Sequence, residues 1–187
     1  MKSSVISVPT KGKILISAPF LTDVFKRSVV FLCEHDEKGS LGFIINKPLK
    51  YKLNEILEDF PEFDAPVLFG GPVQTDLVNF IHRSGNIIKG GYEVNKGIFW
   101  GGDFEELKKH IELGVLNPSD FRFFLGYSGW GAGQLDREMK DTSWFIGEGL
   151  EEYIFNTDYK SLWSKTLRDL GREFALISSF PDDPSVN

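Results

Sequence analysis

The segment with the clearest chemical potential is rich in glycine and runs from Gly126 to Gln134. Four glycines fall within residues 126–133, between an apolar run and an amphipathic pattern. Glycine allows positive φ angles and a close approach of the backbone. Such a turn can present several N–H groups at a helix N-terminus, which favours anions. The segment therefore predicts a loop that holds a phosphate or carboxylate, or else a tight strand-to-helix turn that only fits around Trp130.

Ser128 gives the same segment a second interpretation, as the site of a hydrolase. Residues 126–130 resemble the nucleophile elbow G-x-S-x-G, although Trp130 replaces the last glycine. A nucleophilic serine also needs a histidine as its base. Among the three histidines of the chain, His35 and His82 are the candidates. A small-molecule hydrolase that uses Ser128 is therefore kept as an alternative.

A second glycine turn follows a short apolar run at residues 70–72. Two such turns at strand ends could frame one pocket, in which aromatic rings supply stacking surface and N–H groups supply polar contacts. We therefore predict one ligand- or partner-binding site from both turns. Its candidate residues are Gly70, Gly71, Pro72, Gly126, Tyr127, Ser128, Gly129, Trp130, Gly131, Gly133 and Gln134.

Cys33 and His35 are the residues with metal-ligand character. Two positions apart on a strand, they would share a face and could both ligate zinc. A third ligand would have to come from elsewhere, and a lone cysteine is more often a small buried apolar residue. We predict no metal, no cofactor and no catalytic residue.

Composition narrows the class of protein. The 187 residues are 41% hydrophobic and 14% aromatic, with 21 Lys and Arg against 27 Asp and Glu. This is globular composition, and the net charge of −6 argues against direct nucleic-acid binding. The densest basic stretch, residues 47–52, lies beside Glu55 and Glu58. With one cysteine, no membrane-length apolar run and no signal-peptide pattern, the chain is expected to be cytoplasmic.

The elements that must position these residues form one expected domain over 1–187, with a loosely ordered segment at 1–10. Turn signals are spread evenly, and helical and strand patterns intersperse without a regular βαβ order, which predicts an α+β fold with a mixed sheet. Strands are predicted at 13–18, 28–34, 41–46, 66–69, 77–83, 97–100, 121–127 and 143–146. Helices are predicted at 53–60 with Asn54 as cap, from Asp103 to Gly114, at 134–140 and from Asp158 to Gly171.

Taken together, these motifs resemble the bacterial YqgE/AlgH family. The resemblance runs from about Lys11 to the C-terminus. It rests on residues 12–19, 25–30, 33–36, 44–48, 70–73, His82, 100–102, 124–130, 133–135 with Glu138, and 180–183.

The resemblance implies a cytosolic domain with a bifurcated, partly barrel-like sheet surrounded by helices. The family is usually labelled a transcriptional regulator because of a link to alginate control, and it carries no catalytic residues over to this chain. We therefore expect a non-enzymatic regulatory or binding domain that acts through a small anionic ligand or a protein partner. A direct DNA-binding regulator is the second alternative, and the oligomeric state stays open.

Overall fold

The computed structural model describes residues 8–156 and 158–181. Its strands are β1 (Lys13–Ser17), β2 (Val29–Asp36), β3 (Gly39–Ile44), β4 (Val67–Phe69), β5 (Val73–His82), β6 (Tyr92–Asn95), β7 (Ile98–Trp100), β8 (Phe121–Gly131) and β9 (Trp144–Glu148). Its helices are α1 (Leu53–Ile56), α2 (Phe104–Glu112), α3 (Gln134–Lys140), α4 (Glu151–Phe155), α5 (Tyr159–Leu170) and α6 (Arg172–Ile177). A turn of 3-10 helix at Pro118–Asp120 leads into β8.

These strands form one sheet in the order β6-β7-β5-β8-β3-β2-β1-β9, with β4 added alongside β8. Every pairing is antiparallel except that of β4 with β8, which confirms the α+β class and the mixed sheet. The sheet is not closed into a barrel. Side-chain hydrogen bonds nevertheless connect β6, at one edge of the sheet, to residues next to β9 and β1 near the other edge. Asn95 Nδ2 donates to the carbonyl of Gly149 at 3.1 Å, and Lys11 Nζ donates to the carbonyl of Glu93 at 3.0 Å.

The sheet divides along β8. The early residues of β8, up to Leu125, pair with β4 and β5. Tyr127 still pairs with Val73 of β5, and from Ser128 onward the strand pairs with β3. Gly126, with a φ of 68°, lies just before this change of partner, where the pairing with β5 is irregular. Since this conformation is costly for a side chain with a Cβ, glycine lets a single strand serve both halves.

The predicted turn at residues 126–133 is therefore wrong over most of its length. β8 continues to Gly131 because this half of the strand finds partners in β3, which lies more than 80 residues earlier in the chain. Only Ala132 and Gly133 remain between β8 and α3. Gly133, with a φ of 66°, makes the change of direction.

Three clusters of buried side chains fill the space between the sheet and the helices. One lies between β1, β2 and β3 on the sheet and α4 and α5. A phenylalanine-rich cluster lies under α1 and α2, and the third lies under α3. The aromatic excess of the sequence thus serves the core, as in the stacked Phe43 and Phe124 rings, whose centroids are 4.8 Å apart.

Local sequence patterns correctly predicted the N-terminal caps of two helices. Asp103 caps α2 by accepting the N–H of Glu106 at 2.9 Å, and Asp158 caps α5 through Ser161 N–H at 3.0 Å. The predicted helix at 53–60 is wrong beyond Ile56, and its cap is Lys52 rather than Asn54. The loosely ordered segment was predicted at 1–10, of which 1–7 lie outside the described residues, as do Asp182 and Asp183.

Candidate functional site

The two glycine segments predicted to frame a pocket do meet in the structure. The Gly70 N–H donates to the Leu125 carbonyl at 2.9 Å. A Cβ on Gly71 would lie 2.3 Å from the Tyr127 carbonyl oxygen, and one on Gly126 would lie 2.5 Å from the Gly71 oxygen. Backbone therefore touches backbone, and the glycines are explained by this close crossing. The neighbouring Pro72 is exposed.

Ser128 lies inside the crossing and has no access to solvent. Its hydroxyl donates to the Gly70 carbonyl at 3.0 Å, so it holds the two segments together. Neither candidate base is bonded to it: His35 Nδ1 lies 2.8 Å from Ser40 Oγ, and both ring nitrogens of His82 have backbone partners. This arrangement supports a structural role for Ser128 and lends no support to the hydrolase interpretation.

His82 is buried in a neutral form that its partners define. Nε2 lies 2.9 Å from the Gly101 carbonyl and must donate to it, while Nδ1 accepts the Ser84 N–H at 3.2 Å. Burial lowers the pKa of His82, and the bond to Gly101 opposes this shift only in part. The ring also stacks on Phe121 with centroids 5.5 Å apart. His82 therefore organises the aromatic core of its half of the sheet.

Trp130 is buried and points toward α3. Its Nε1 donates to Glu138 Oε2 at 2.8 Å, and Trp144 Nε1 donates to the same oxygen at 2.8 Å. The N–H of Gly131 donates to Gln134 Oε1 at 3.0 Å, so this donor is already used within the protein. The first residue of α3 is thus hydrogen-bonded to β8, the strand that precedes it. This arrangement gives no support to the predicted anion-holding loop.

A groove lies beside the β2–β3 turn, on the face of β2, β3 and β8 that is turned away from α3. We call it the hairpin groove, and its volume is about 500 Å³. Glu34, Leu41 and Gly129 are directly paired across the three strands, so they share this face. Its lining residues are Glu34, Asp36, Lys38, Gly39, Ser40, Leu41, Val73, Tyr127, Gly129 and Trp130.

The absence of a side chain at Gly129 helps to keep this groove open. Gly129 is exposed, and the ring of Tyr127 lies beside it. A Cβ on Gly129 would lie 3.1 Å from Tyr127 Cε2, so even alanine would press on the ring. Tyr127, Gly129 and Trp130 are three of the predicted site residues, and the structure brings them to one place.

The groove is acidic. Glu34 and Asp36 are both exposed, and Lys38 is the basic residue of the lining. One oxygen of Asp36 accepts the N–H groups of Lys38 at 2.7 Å and Gly39 at 3.2 Å, which fixes the hairpin turn. The groove can therefore offer carboxylate oxygens, an aromatic ring and the exposed backbone of Gly129 to a ligand.

The prediction that Cys33 and His35 share a face is wrong. The register shifts between Leu32 and Glu34, so Cys33 lies in a β-bulge. Cys33 stays in the core, where burial raises the pKa of its thiol well above the ordinary value, and His35 turns to the opposite face. Among the described residues no group of three or more His, Cys, Asp or Glu side chains is arranged to hold a metal ion.

Seven lining residues of the groove were not predicted from the sequence: Glu34, Asp36, Lys38, Gly39, Ser40, Leu41 and Val73. The pairing of β2 with β3 was predictable, and it places Glu34 beside Leu41 and Asp36 beside Gly39. The contact of this hairpin with Tyr127 and Gly129 was not, because it needs the second half of β8.

Comparison with known proteins gives the same architecture and a family. A family model described as AlgH-like matches residues 14–175. A UPF0301 protein of Chlorobium limicola is 45% identical over 177 residues, covering 94% of this chain and 95% of the relative. The chain belongs to the AlgH-like family. A UPF0301 protein of Chlorobaculum parvum is 46% identical with the same coverage.

Two solved structures resemble this AlgH-like chain. The solution structure of the AlgH protein from Pseudomonas aeruginosa has a TM-score of 0.73 and 30% identity, covering 94% of this chain and 97% of that one. The crystal structure of a protein from Corynebacterium diphtheriae has a TM-score of 0.74 over 93% of this chain and 94% of the other. Its identity is 21%, so it shows the fold alone.

The family membership confirms the resemblance seen in the sequence motifs, and the named relatives are bacterial. It adds no ligand, partner or reaction. No helix within the part of the chain that the structure describes has the length and hydrophobicity needed to cross a bilayer.

Proposed function

We propose that this AlgH-like protein is a non-enzymatic regulatory domain of the bacterial cytoplasm that binds a protein partner in the hairpin groove. The observation that carries the proposal is the Tyr127 ring, half-exposed beside the bare backbone of Gly129 and near two carboxylates. Tyrosine is enriched at protein interfaces, because its ring supplies contact area and its hydroxyl a hydrogen bond.

The charges of the groove select between the two expected classes of partner. Glu34 and Asp36 would repel a phosphate or a carboxylate, whereas a basic side chain of a protein would find two acceptors. The exposed backbone of Gly129 also suits an extended or loop segment better than a small anion. We therefore favour a protein partner that presents Lys or Arg beside an apolar residue.

Regulation of transcription through this groove would be indirect. In the basic stretch at 47–52, two of the three lysines already have partners within the protein, because Lys47 Nζ donates to the Val24 carbonyl and Lys52 Nζ lies 4.0 Å from Glu62. Burial lowers the pKa of Lys47, and nearby Asp23 only partly opposes that shift. Direct DNA binding is therefore the weaker alternative, and it is tested alongside.

The experiment places a photo-crosslinking amino acid at position 38, at the edge of the groove, and at position 50 as an exposed control. The protein captured only from position 38 is then purified and titrated against wild type, Tyr127→Ala and Tyr51→Ala. We expect Tyr127→Ala to weaken binding about tenfold or more, as truncation of an interface tyrosine does, and Tyr51→Ala, which lies on another surface, to bind like wild type.

Several results would overturn the proposal. Equal capture from both positions, or equal affinity of both alanine variants, would remove the groove as the interface. A thermal shift with nucleotides, phosphorylated metabolites or carboxylates would instead identify a small anionic ligand. A DNA mobility shift that weakens steeply with salt would favour the direct regulator.

A further inference from the structure

The strand β5 is open along one side over most of its length. β8 runs along its other side, whereas β7 pairs with β5 only at Ile81 and His82. The Gly101 N–H, just after β7, still donates to the Phe80 carbonyl at 2.8 Å. At Gly101 the φ is 68°, and the chain leaves β5 for α2. Among the residues that the structure describes, no strand pairs with residues 74–79 on this side, and we call this stretch the β5 edge.

The backbone of Val78 points toward the open side. In an antiparallel ladder alternate residues direct their N–H and C=O groups the same way, and the carbonyl of Phe80 points toward β7. Val78, two residues earlier, therefore directs its N–H and C=O to that side as well. Leu125, opposite Val78 on β8, agrees with this orientation, because its carbonyl accepts the Gly70 N–H at 2.9 Å on the far side of β8. An additional strand can therefore bond to β5 at Val78.

The β5 edge faces solvent and adjoins the hairpin groove. Residues 74–77 are all exposed, and Leu77 is 48% exposed. An exposed strand edge that carries a large apolar side chain is a template for pairing with another chain. Val73, at the start of β5, pairs with Tyr127 and lines the groove. A segment bound in the groove can therefore continue along β5.

Charge decides which chain fits this edge. Asp76 is exposed within the edge, and Glu34 and Asp36 lie in the adjoining groove. If two copies of this chain paired through their β5 edges, their Asp76 side chains would come close together, and like charges across a strand pair are destabilising. The net charge of −6 adds to that repulsion. A basic segment of a different protein meets complementary charge instead.

Resting on the proposed function, in which a protein partner binds the groove, we propose that this partner binds by adding a β-strand to the β5 edge. The added strand is an extended segment in which apolar and basic residues alternate. Its main-chain hydrogen bonds to Val78 supply affinity, and its side chains select the edge through contacts with Leu77 and Asp76.

The test titrates synthetic peptides into the ¹⁵N-labelled full chain. The first is a blocked hexapeptide of alternating valine and lysine, and the second replaces lysine with glutamate. Binding is read from amide chemical shifts, and hydrogen exchange reports on the Val78 N–H. We expect the lysine peptide to shift the amides of Leu77, Val78 and Asn79 and to slow exchange at Val78. The glutamate peptide should bind at least about tenfold more weakly.

Two modified peptides separate backbone pairing from charge attraction. One carries N-methyl groups on its valine amides and the other on its lysine amides, with the side chains unchanged. An added strand bonds to β5 through only one of its own edges. One modified peptide should therefore bind about tenfold more weakly than the parent, the loss expected for removed hydrogen bonds, and the other should bind like the parent.

A matched pair of variants tests the charge. Asp76→Asn should weaken binding of the lysine peptide about threefold, the size of an exposed charge interaction. Asp136→Asn removes an exposed carboxylate on α3 and should bind like wild type. Equal weakening by both variants would refute the role of Asp76 and show attraction by net charge alone.

Equal binding of the two N-methylated peptides would overturn the proposal, and so would unchanged amide shifts at millimolar lysine peptide. Dimers of the wild-type chain that Leu77→Lys dissociates would identify a second copy as the occupant instead. Shifts at Tyr127 and Gly129 without any at Val78 would keep the groove as a site and remove the β5 edge. Shifts at Val78, together with a Tyr127→Ala variant that binds like wild type, would support the edge and remove the groove.

Discussion

Replacing Glu138 with alanine should destabilise the fold more than any other surface-accessible change in α3. Its carboxylate accepts the indole N–H groups of Trp130 and Trp144, each at 2.8 Å, and these side chains are only 5% and 2% exposed. Each buried donor left without a partner costs about 1–3 kcal/mol. Water can reach part of this half-buried site, so the expected loss is roughly 2–4 kcal/mol for the two donors together.

The assay is urea denaturation followed by far-UV circular dichroism, because the fluorescence of both tryptophans will itself change. Glu138→Gln keeps an acceptor and should lose only about 1 kcal/mol. Asp136→Ala, an exposed change in the first turn of the same helix, should cost under about 1 kcal/mol. If Glu138→Ala lost no more than Asp136→Ala, the carboxylate would not be satisfying the buried indoles, and this account of the third core cluster would be refuted.

Three further predictions concern residues of β5 and β8. Because burial lowers the pKa of His82, the unfolded chain binds its proton first, so unfolding free energy should fall as pH drops below about 6.5; this slope should flatten in His82→Gln. Ser128→Ala should cost only about 1 kcal/mol and leave partner binding intact, since the Gly70 carbonyl keeps the Ile44 N–H. Gly126→Ala should cost more than about 2 kcal/mol in urea denaturation, because of its φ of 68° and the backbone oxygen 2.5 Å away, whereas Gly131→Asp, with nothing closer than 4.0 Å, should stay within about 0.5 kcal/mol.

Local patterns predicted the elements that depend on local interactions. The hairpin of β2 and β3 follows from a polar turn between two apolar runs, and Asp36 does fix that turn. The caps at Asp103 and Asp158 are contacts over three residues. β6 at Tyr92–Asn95 was missed because its four residues carry little apolar pattern and pair only with β7.

The site was harder to predict than the fold. Glycine is depleted in strands, so residues 126–131 predicted a turn from composition alone. Their strand conformation depends on β3, far away in sequence, and no local signal reports it. The bulge at Cys33 likewise comes from the pairing of β2 with β3, and it decides that Glu34 rather than His35 faces the groove.

Different physical constraints explain the glycines where backbone touches backbone and the glycine at position 129 in the groove. At Gly39 a Cβ would lie 2.3 Å from the Trp130 carbonyl oxygen, and at Gly71 2.3 Å from that of Tyr127, so the backbone itself demands glycine. At Gly129 the φ is ordinary, and the nearest atom is the edge of the Tyr127 ring at 3.1 Å, which can tilt. Fold stability therefore explains glycine at 39 and 71 more fully than at 129. At Gly129 the bare backbone keeps the Tyr127 ring in place and the groove open, which is the condition that partner binding would impose.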